Sequence, residues 1–171
     1  AVLTAHPEID HLAFTGGPDT ARHVVRNSAE NLASTSLELG GKSPFIVFED
    51  VDIDSTVNAQ VSAIFAATGQ SCVAGSRLII SNQIKDVFLH SLKDKAERVR
   101  IGAPQMAETE VGPLCTDAQM RRVVELVAAS LAAGARIVTG GQPLVLVAEA
   151  LHLRASGTRR LAALRCLRNQ S

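Results

Sequence analysis

Two groups in this chain combine a reactive side chain with a setting suited to covalent chemistry. Cys72 lies in Gly69-Gln70-Ser71-Cys72-Val73-Ala74-Gly75, a loop of small residues just beyond a helical pattern. A nucleophile needs such access, because substrate must reach the sulfur along a defined line. Its thiolate is the reactive form, so a local feature must favour ionisation. Glu38 sits between Leu37 and Leu39, immediately before Gly40-Gly41-Lys42-Ser43-Pro44. Burial at the end of a strand would raise its pKa toward the range of a general base. The glycines allow a sharp turn and a close approach of backbone to ligand. Each motif taken alone has a plainer reading. Most lone cysteines are small buried hydrophobes, and Glu38 fits a structural carboxylate alternating with core leucines.

The elements that must position these groups follow from the apolar spacing. Leu12-Ala13-Phe14-Thr15, closed by Gly16-Gly17, predicts a buried strand entering a tight turn. Pro18 suits a first helical turn, and Ala21, Val24 and Val25 continue a helix from about residue 18 to 29. Residues 34–39 and 44–48 predict two strands. The continuous run Phe45-Ile46-Val47-Phe48 is that of a strand covered on both faces. Asp54 is the expected cap of the next helix, whose face is Val57, Val61, Ile64 and Phe65 and which ends at Gly69. A strand over Arg77–Ser81, a helix over 83–98 and an irregular segment from Gly102 to Pro113 come next. Thr116 and Gln119 form a capping box for a helix striped by Met120, Val123, Val124, Val127 and Leu131, with Gly134 as its C′ residue. Arg136–Thr139 reads as a last strand ended by Gly140-Gly141. Alternation of strands and helices argues an α/β fold with a mainly parallel sheet.

The 171 residues suffice for one domain of ordinary size, with 46% hydrophobic and 20% charged residues. There is no Trp or Tyr, so the core must rest on Val, Ile, Leu and Ala. Three widely spaced cysteines and five scattered histidines suggest neither a disulfide framework nor a metal site. A reducing, cytoplasmic location is the default expectation. No apolar run long enough for a membrane span and no signal peptide are visible, so no membrane partner is expected. The absence of an initial Met suggests a fragment or a processed product. The zero net charge hides a split. Residues 1–149 carry −5, whereas residues 150–171 carry five arginines and no acid. Two readings of the segment from 144 onward stand: a basic surface helix, or a tail not native to the fold, such as a translated frameshift. Without a recognised motif or interleaved aromatics, its arginines do not argue for a nucleic-acid partner.

Phe14-Thr15-Gly16, Leu37-Glu38-Leu39-Gly40-Gly41-Lys42-Ser43-Pro44 and Gly69-Gln70-x-Cys72-x-Ala74-Gly75-Ser76-Arg77 together resemble, in order and spacing, the aldehyde dehydrogenase superfamily. His6-Pro7-x-Ile9-Asp10, Asp50-x-Asp52 and Gly112-Pro113 also resemble family positions, so the likeness runs from about residue 1 to 142. It implies a partial aldehyde dehydrogenase fold: residues 1–38 ending a Rossmann-like NAD(P)-binding domain, 39–143 beginning an α/β catalytic domain, and 144–171 a divergent Arg-rich tail. It implies oxidation of a small-molecule aldehyde to a carboxylic acid with NAD or NADP, Cys72 as nucleophile and Glu38 as base. Cofactor contacts are expected at Gly16, Gly17, Glu38, Leu39 and Gly40.

Where relatives carry Gly-Ser-Thr-x-x-Gly, this chain has Gly16-Gly17-Pro18-Asp19-Thr20-Ala21, which implies a weakened diphosphate contact. The resemblance also places the oxyanion-hole asparagine and a ribose-contacting lysine upstream of residue 1. The nicotinamide-ribose glutamate and the oligomerising strand lie downstream, so the homo-oligomer of intact relatives is not expected to form normally. Two other outcomes follow: a catalytically incomplete fragment, or a cofactor-free thiol esterase using Cys72 and Glu38.

Overall fold

The computed structural model describes residues 2–146 and 161–165. The tail outside those ranges, including Cys166, lies outside the described residues. The architecture is α/β, built on short parallel strand pairs.

The first unit is a β-α-β crossover. Strand β1 (His11–Gly16) is followed by helix α1 (Pro18–Ser28) and strand β2 (Ser34–Leu39). The two strands run parallel, with His11 opposite Ser34 and Gly16 opposite Leu39. Gly17 is the extended N-cap of α1, and Pro18 opens the helix where its missing N–H costs nothing. Ala21, Val24 and Ser28 are the buried face of α1, and Leu12 is buried on β1. Asn31 fastens the entry to this unit. Its Nδ2 donates to the carbonyls of His6 (2.7 Å) and Ile9 (2.6 Å), joining the approach to β1 to the turn before β2.

The second unit repeats the plan. Strand β3 (Pro44–Val47) leads to helix α2 (Ile53–Phe65), and strand β4 (Arg77–Ile80) returns parallel to β3 before helix α3 (Lys85–Glu97). Here lies the main core. Phe88 and Val47 are fully buried and Val57 nearly so, with Phe45, Val51, Ile53, Val61, Leu78, Ile80, Ile84 and Leu92 packed around them. Phe88 at the centre, Phe45 beside it and branched aliphatics around them fill this core.

The segment after α3 is tied by Arg100, whose Nε donates to the Glu108 carbonyl at 2.6 Å and whose backbone N–H donates to Glu110 Oε2 at 2.8 Å. Helix α4 (Asp117–Ala132) begins at Thr116, whose Oγ1 accepts from the Gln119 N–H at 3.2 Å. Gly134, at φ +90°, closes the helix in the left-handed conformation that glycine adopts freely. Strands β5 (Gln142–Leu146) and β6 (Leu161–Arg165) form an antiparallel pair.

Four sequence expectations are corrected. The N-cap of α2 is Asp52, not Asp54: Asp52 Oδ1 accepts from the Ser55 N–H at 2.8 Å, and Asp54 falls inside the first turn. The apolar run 45–48 is covered on one face only. Val47 is buried, whereas Ile46 and Phe48 are exposed, because no described element packs on the far side of β3. Helix α2 stops at Phe65, and a 3-10 turn over Ala66–Gly69 completes the run to Gly69. Residues 136–139 form no strand. Ile137 and Val138 are exposed, and the strand in this region is β5 instead. An apolar run becomes a strand only where a neighbour pairs with it, which composition does not specify.

Candidate active site

Glu38 lies next to last on β2, directly opposite Thr15. Strand alternation places Glu38 on the same face as Ser34, Ser36, His11 and Thr15. Leu37 and Leu39 face the other way, toward α1, where with Pro18, Ala21, Arg22, Val25 and Arg26 they line a cleft of about 370 Å³. Glu38 is exposed, which corrects the expectation of a buried carboxylate. The cause is the two-stranded sheet: among the described residues, no element covers the face that Glu38 shares with His11. His11 bridges that face, with Nδ1 2.8 Å from Ser34 Oγ and Nε2 3.2 Å from Ser36 Oγ.

Cys72 is an exposed free thiol, as is Cys115. It follows a backbone forced out of helical geometry, since Ala67, Thr68 and Gly69 all have positive φ, at +50°, +58° and +71°. The left-handed conformation costs an L-residue about 1–2 kcal/mol. A β-branched Thr is especially disfavoured there, and such outliers concentrate at functional sites. Thr68 is held by its hydroxyl, which donates to the Gly112 carbonyl at 3.3 Å. Cys72 and Val73 then form the centre of a turn closed by the Ala74 N–H to the Ser71 carbonyl at 3.2 Å. Among the described residues, no group accepts from the Cys72 backbone N–H.

The two motif segments meet through backbone. The Gly41 N–H donates to the Cys72 carbonyl at 3.4 Å. Farther along, the Arg77 N–H donates to the Ser43 carbonyl at 3.2 Å, and Arg77 Nε donates to the Lys42 carbonyl at 2.7 Å. The turn after Glu38 is thereby bound to both sides of the cysteine loop. The structure makes the two motifs adjacent loops.

Gly16 and Gly17 end β1 and open α1. A Cβ at Gly16 would fall 2.6 Å from the tip of the Phe14 ring, so a side chain there requires that ring to shift. Gly17 faces open space, and a Cβ there would meet nothing within 4 Å. Helix N-termini leave N–H groups free to receive an anion. Pro18 removes one such donor, while the Ala21 N–H already bonds the Gly17 carbonyl. Asp19 brings its charge to the same end, but Arg22 Nη1 sits 2.6 Å from Asp19 Oδ1 and offsets it. Open space at Gly17 and the free end of α1 fit a diphosphate, with fewer donors than a proline-free turn would give. Gly40 is exposed, with no atom within 4 Å of where its Cβ would lie.

A second cavity of about 430 Å³ adjoins the cysteine loop. It is lined by Phe65, Thr68, Gln70, Val111 and Leu114 among others, with Gln119, Arg122 and Val123 of α4 on its far wall. Phe65 therefore faces this cavity. One buried polar residue that the sequence did not flag lies behind the cysteine loop: Gln60, an amide on α2 that donates to the Gly75 carbonyl. Its signal is a polar side chain within the stripe of Val57, Val61 and Ile64. Among the described residues, no group of three His, Cys, Asp or Glu could hold a metal. No described helix is long and apolar enough to cross a membrane.

Parallel β-α-β units thus bring the loop after Glu38 against the loop of Cys72, beside a glycine turn that opens a helix. Residues 1–150 match the model of the aldehyde dehydrogenase family. The chain belongs to the aldehyde dehydrogenase family. Over 142 residues it is 61% identical to (Z)-2-((N-methylformamido)methylene)-5-hydroxybutyrolactone dehydrogenase of Acinetobacter baylyi, covering 83% of this chain and 29% of that protein. Over 140 residues it is 38% identical to betaine aldehyde dehydrogenase of Vibrio vulnificus, covering 82% and 29%. Among solved structures it is similar to betaine aldehyde dehydrogenase of Staphylococcus aureus in complex with NAD+. That match has a TM-score of 0.79 at 36% identity, over 82% of this chain and 28% of the other. A putative aldehyde dehydrogenase of Burkholderia cenocepacia matches at TM-score 0.81 and 41% identity, over 83% and 29%. The chain thus spans about 29% of the length of the curated relatives it matches.

Proposed function

We propose that this chain carries the nucleophile and the general base of an NAD(P)-dependent oxidation of a small aldehyde to a carboxylic acid. The observation that carries the reading is the 3.4 Å bond from the Gly41 N–H to the Cys72 carbonyl, which holds the loop after Glu38 against the loop of the exposed thiol. The Cys72 thiolate attacks the carbonyl carbon and forms a thiohemiacetal. The Cys72 N–H, without an intramolecular acceptor among the described residues, donates to the resulting oxyanion. A nicotinamide cofactor, when bound, would accept the hydride that leaves this carbon, and the adduct on Cys72 would become a thioester. Glu38 then takes a proton from water as it attacks the thioester, releasing the acid and regenerating the thiol.

Gly16, Gly17 and the start of α1 are proposed to hold the diphosphate. Glu38, Leu39 and Gly40 are proposed to border the cofactor from the end of β2. Residues 1–38 act as cofactor domain and 39–143 as catalytic domain, with 144–171 a divergent tail. NAD supports this reading most directly, because it is the cofactor named with the similar Staphylococcus aureus structure; NADP uses the same chemistry. A free Cys72 thiol favours a reducing compartment such as the cytoplasm.

The test is NADH or NADPH formation by the purified chain with a panel of small aldehydes, beside Cys72→Ala. Formation that disappears in Cys72→Ala is the expected result. Formation at the same rate in both proteins would overturn the reading.

A further inference from the structure

Gln60 is 4% exposed, yet it is a full amide on the inward face of α2. Its Nε2 donates to the Gly75 carbonyl at 2.9 Å, and its Oε1 is buried with no partner. Only the NH2 end of the amide can face a carbonyl oxygen, so this orientation is forced and the orphaned acceptor is its consequence. Gly75 is gripped a second time. Its N–H donates at 3.3 Å to the Ala63 carbonyl, one of the last-turn carbonyls of α2 that no helical N–H can reach. It is also pressed against packing, since a Cβ there would lie 3.3 Å from Phe45 and 3.5 Å from the Ala63 Cβ. An apolar residue at 60 would remove the orphaned Oε1 but leave the buried Gly75 carbonyl without a donor.

We infer that Gln60 is a positioning residue for Cys72, acting through the Gly75 carbonyl. Cys72 lies between two anchors. On one side its own carbonyl takes the Gly41 N–H; on the other, the turn from Ser71 to Ala74 runs into Gly75, which Gln60 and Ala63 fix to α2. Without Gln60, Gly75 stays tied to α2 through its N–H alone, which loosens the turn about the Gly41 contact and changes how the thiol is presented. The inference deepens the proposed function and rests on Cys72 being the nucleophile.

The test is residue-resolved alkylation of the chain by iodoacetamide across a pH series, with exposed Cys115 as the internal reference. Wild type is compared with Gln60→Leu and Gln60→Glu. A glutamic acid at 60 donates to the Gly75 carbonyl while protonated and repels it once ionised, and burial raises the pKa of that acid. The expected result is a Cys72-to-Cys115 labelling ratio in Gln60→Glu that matches wild type at acid pH and Gln60→Leu at alkaline pH. The limits should differ by about threefold or more, the effect of one lost hydrogen bond. General loosening would raise labelling at Cys115 as well and leave no such titration. If Gln60→Leu fails to fold, the titration of Gln60→Glu against wild type still decides. Superimposable ratios at every pH would overturn the inference. A ratio that follows Gln60 beside NAD(P)H formation indifferent to Cys72→Ala would instead sink the catalytic reading and leave the anchoring intact.

Discussion

The Gly41 backbone N–H and the Cys72 carbonyl, 3.4 Å apart, join the glutamate motif to the cysteine motif. The bond needs a donor at 41 but not a glycine. Gly41 is not at positive φ, and a Cβ there would sit 3.8 Å from the Cys72 carbonyl oxygen, an ordinary contact. Gly41→Ala should therefore stay within about 0.5 kcal/mol of wild type. Gly41→Pro deletes the donor and should cost about 1 kcal/mol in urea unfolding. Its Cys72-dependent turnover should fall by roughly tenfold or more, since misplaced reacting groups are penalised steeply. Equal behaviour of the two variants would show that the bond does not couple the loops.

The core of the second β-α-β unit has one fully buried aromatic ring at its centre. Phe88 is fully buried against Val47 and Val57. Phe88→Ala should lower stability by about 3–5 kcal/mol, read as a shift in the urea midpoint. A loss below roughly 1 kcal/mol would mean that the site collapses around the missing ring.

The cap of α2 makes part of the stability depend on pH. The Ser55 side chain, and then the Ser55 backbone N–H, hold the Asp52 carboxyl below its ordinary value of 3.8. A carboxyl whose folded pKa is depressed contributes stability above its unfolded pKa and loses it as pH falls through the folded value. The Asp52 contribution should thus be complete at neutral pH and fade below about pH 4. Asp52→Ala should lower Tm at pH 7 and narrow that gap in acid. Asp52→Asn, which caps without ionising, should keep its contribution throughout. A gap between wild type and Asp52→Ala that is independent of pH would contradict this.

Leu32 occupies φ +59° and is 89% exposed, so its side chain gains nothing to offset a left-handed backbone. Leu32→Asn should stabilise the chain by about 1 kcal/mol, because Asn adopts this conformation with little penalty. Thermal unfolding checks this, and a lower Tm for Leu32→Asn would refute it.

Much of this was readable from residue order. Gly17-Pro18 marked the start of α1, Thr116 and Gln119 the start of α4, and the paired motifs the family, because each signal is local chemistry. Four features were not readable. Asp52 and Asp54 are equally good caps on paper, and the path of the chain into α2 selects Asp52. The run 45–48 encodes hydrophobicity but not how many layers cover it, and Ile46 and Phe48 stand exposed. Glu38 between leucines suggested burial, yet burial depends on what covers the sheet face, which lies far from residue 38 in sequence. Gln60 was missed for a related reason: a polar residue in an apolar stripe has meaning only once Gly75 is seen beside it.

The central claim, that Cys72 forms an acyl intermediate and Glu38 directs water to resolve it, is tested most directly with an activated ester, which acylates a thiol without a hydride step. Wild type, Cys72→Ser and Glu38→Gln would be followed for leaving-group release. The account predicts a burst of up to one equivalent with continued turnover in wild type. It predicts the same burst without turnover in Glu38→Gln, with the acyl group located on Cys72 by mass spectrometry, and no thioester in Cys72→Ser. An acyl group on Cys115 instead, or undiminished turnover in Glu38→Gln, would contradict it.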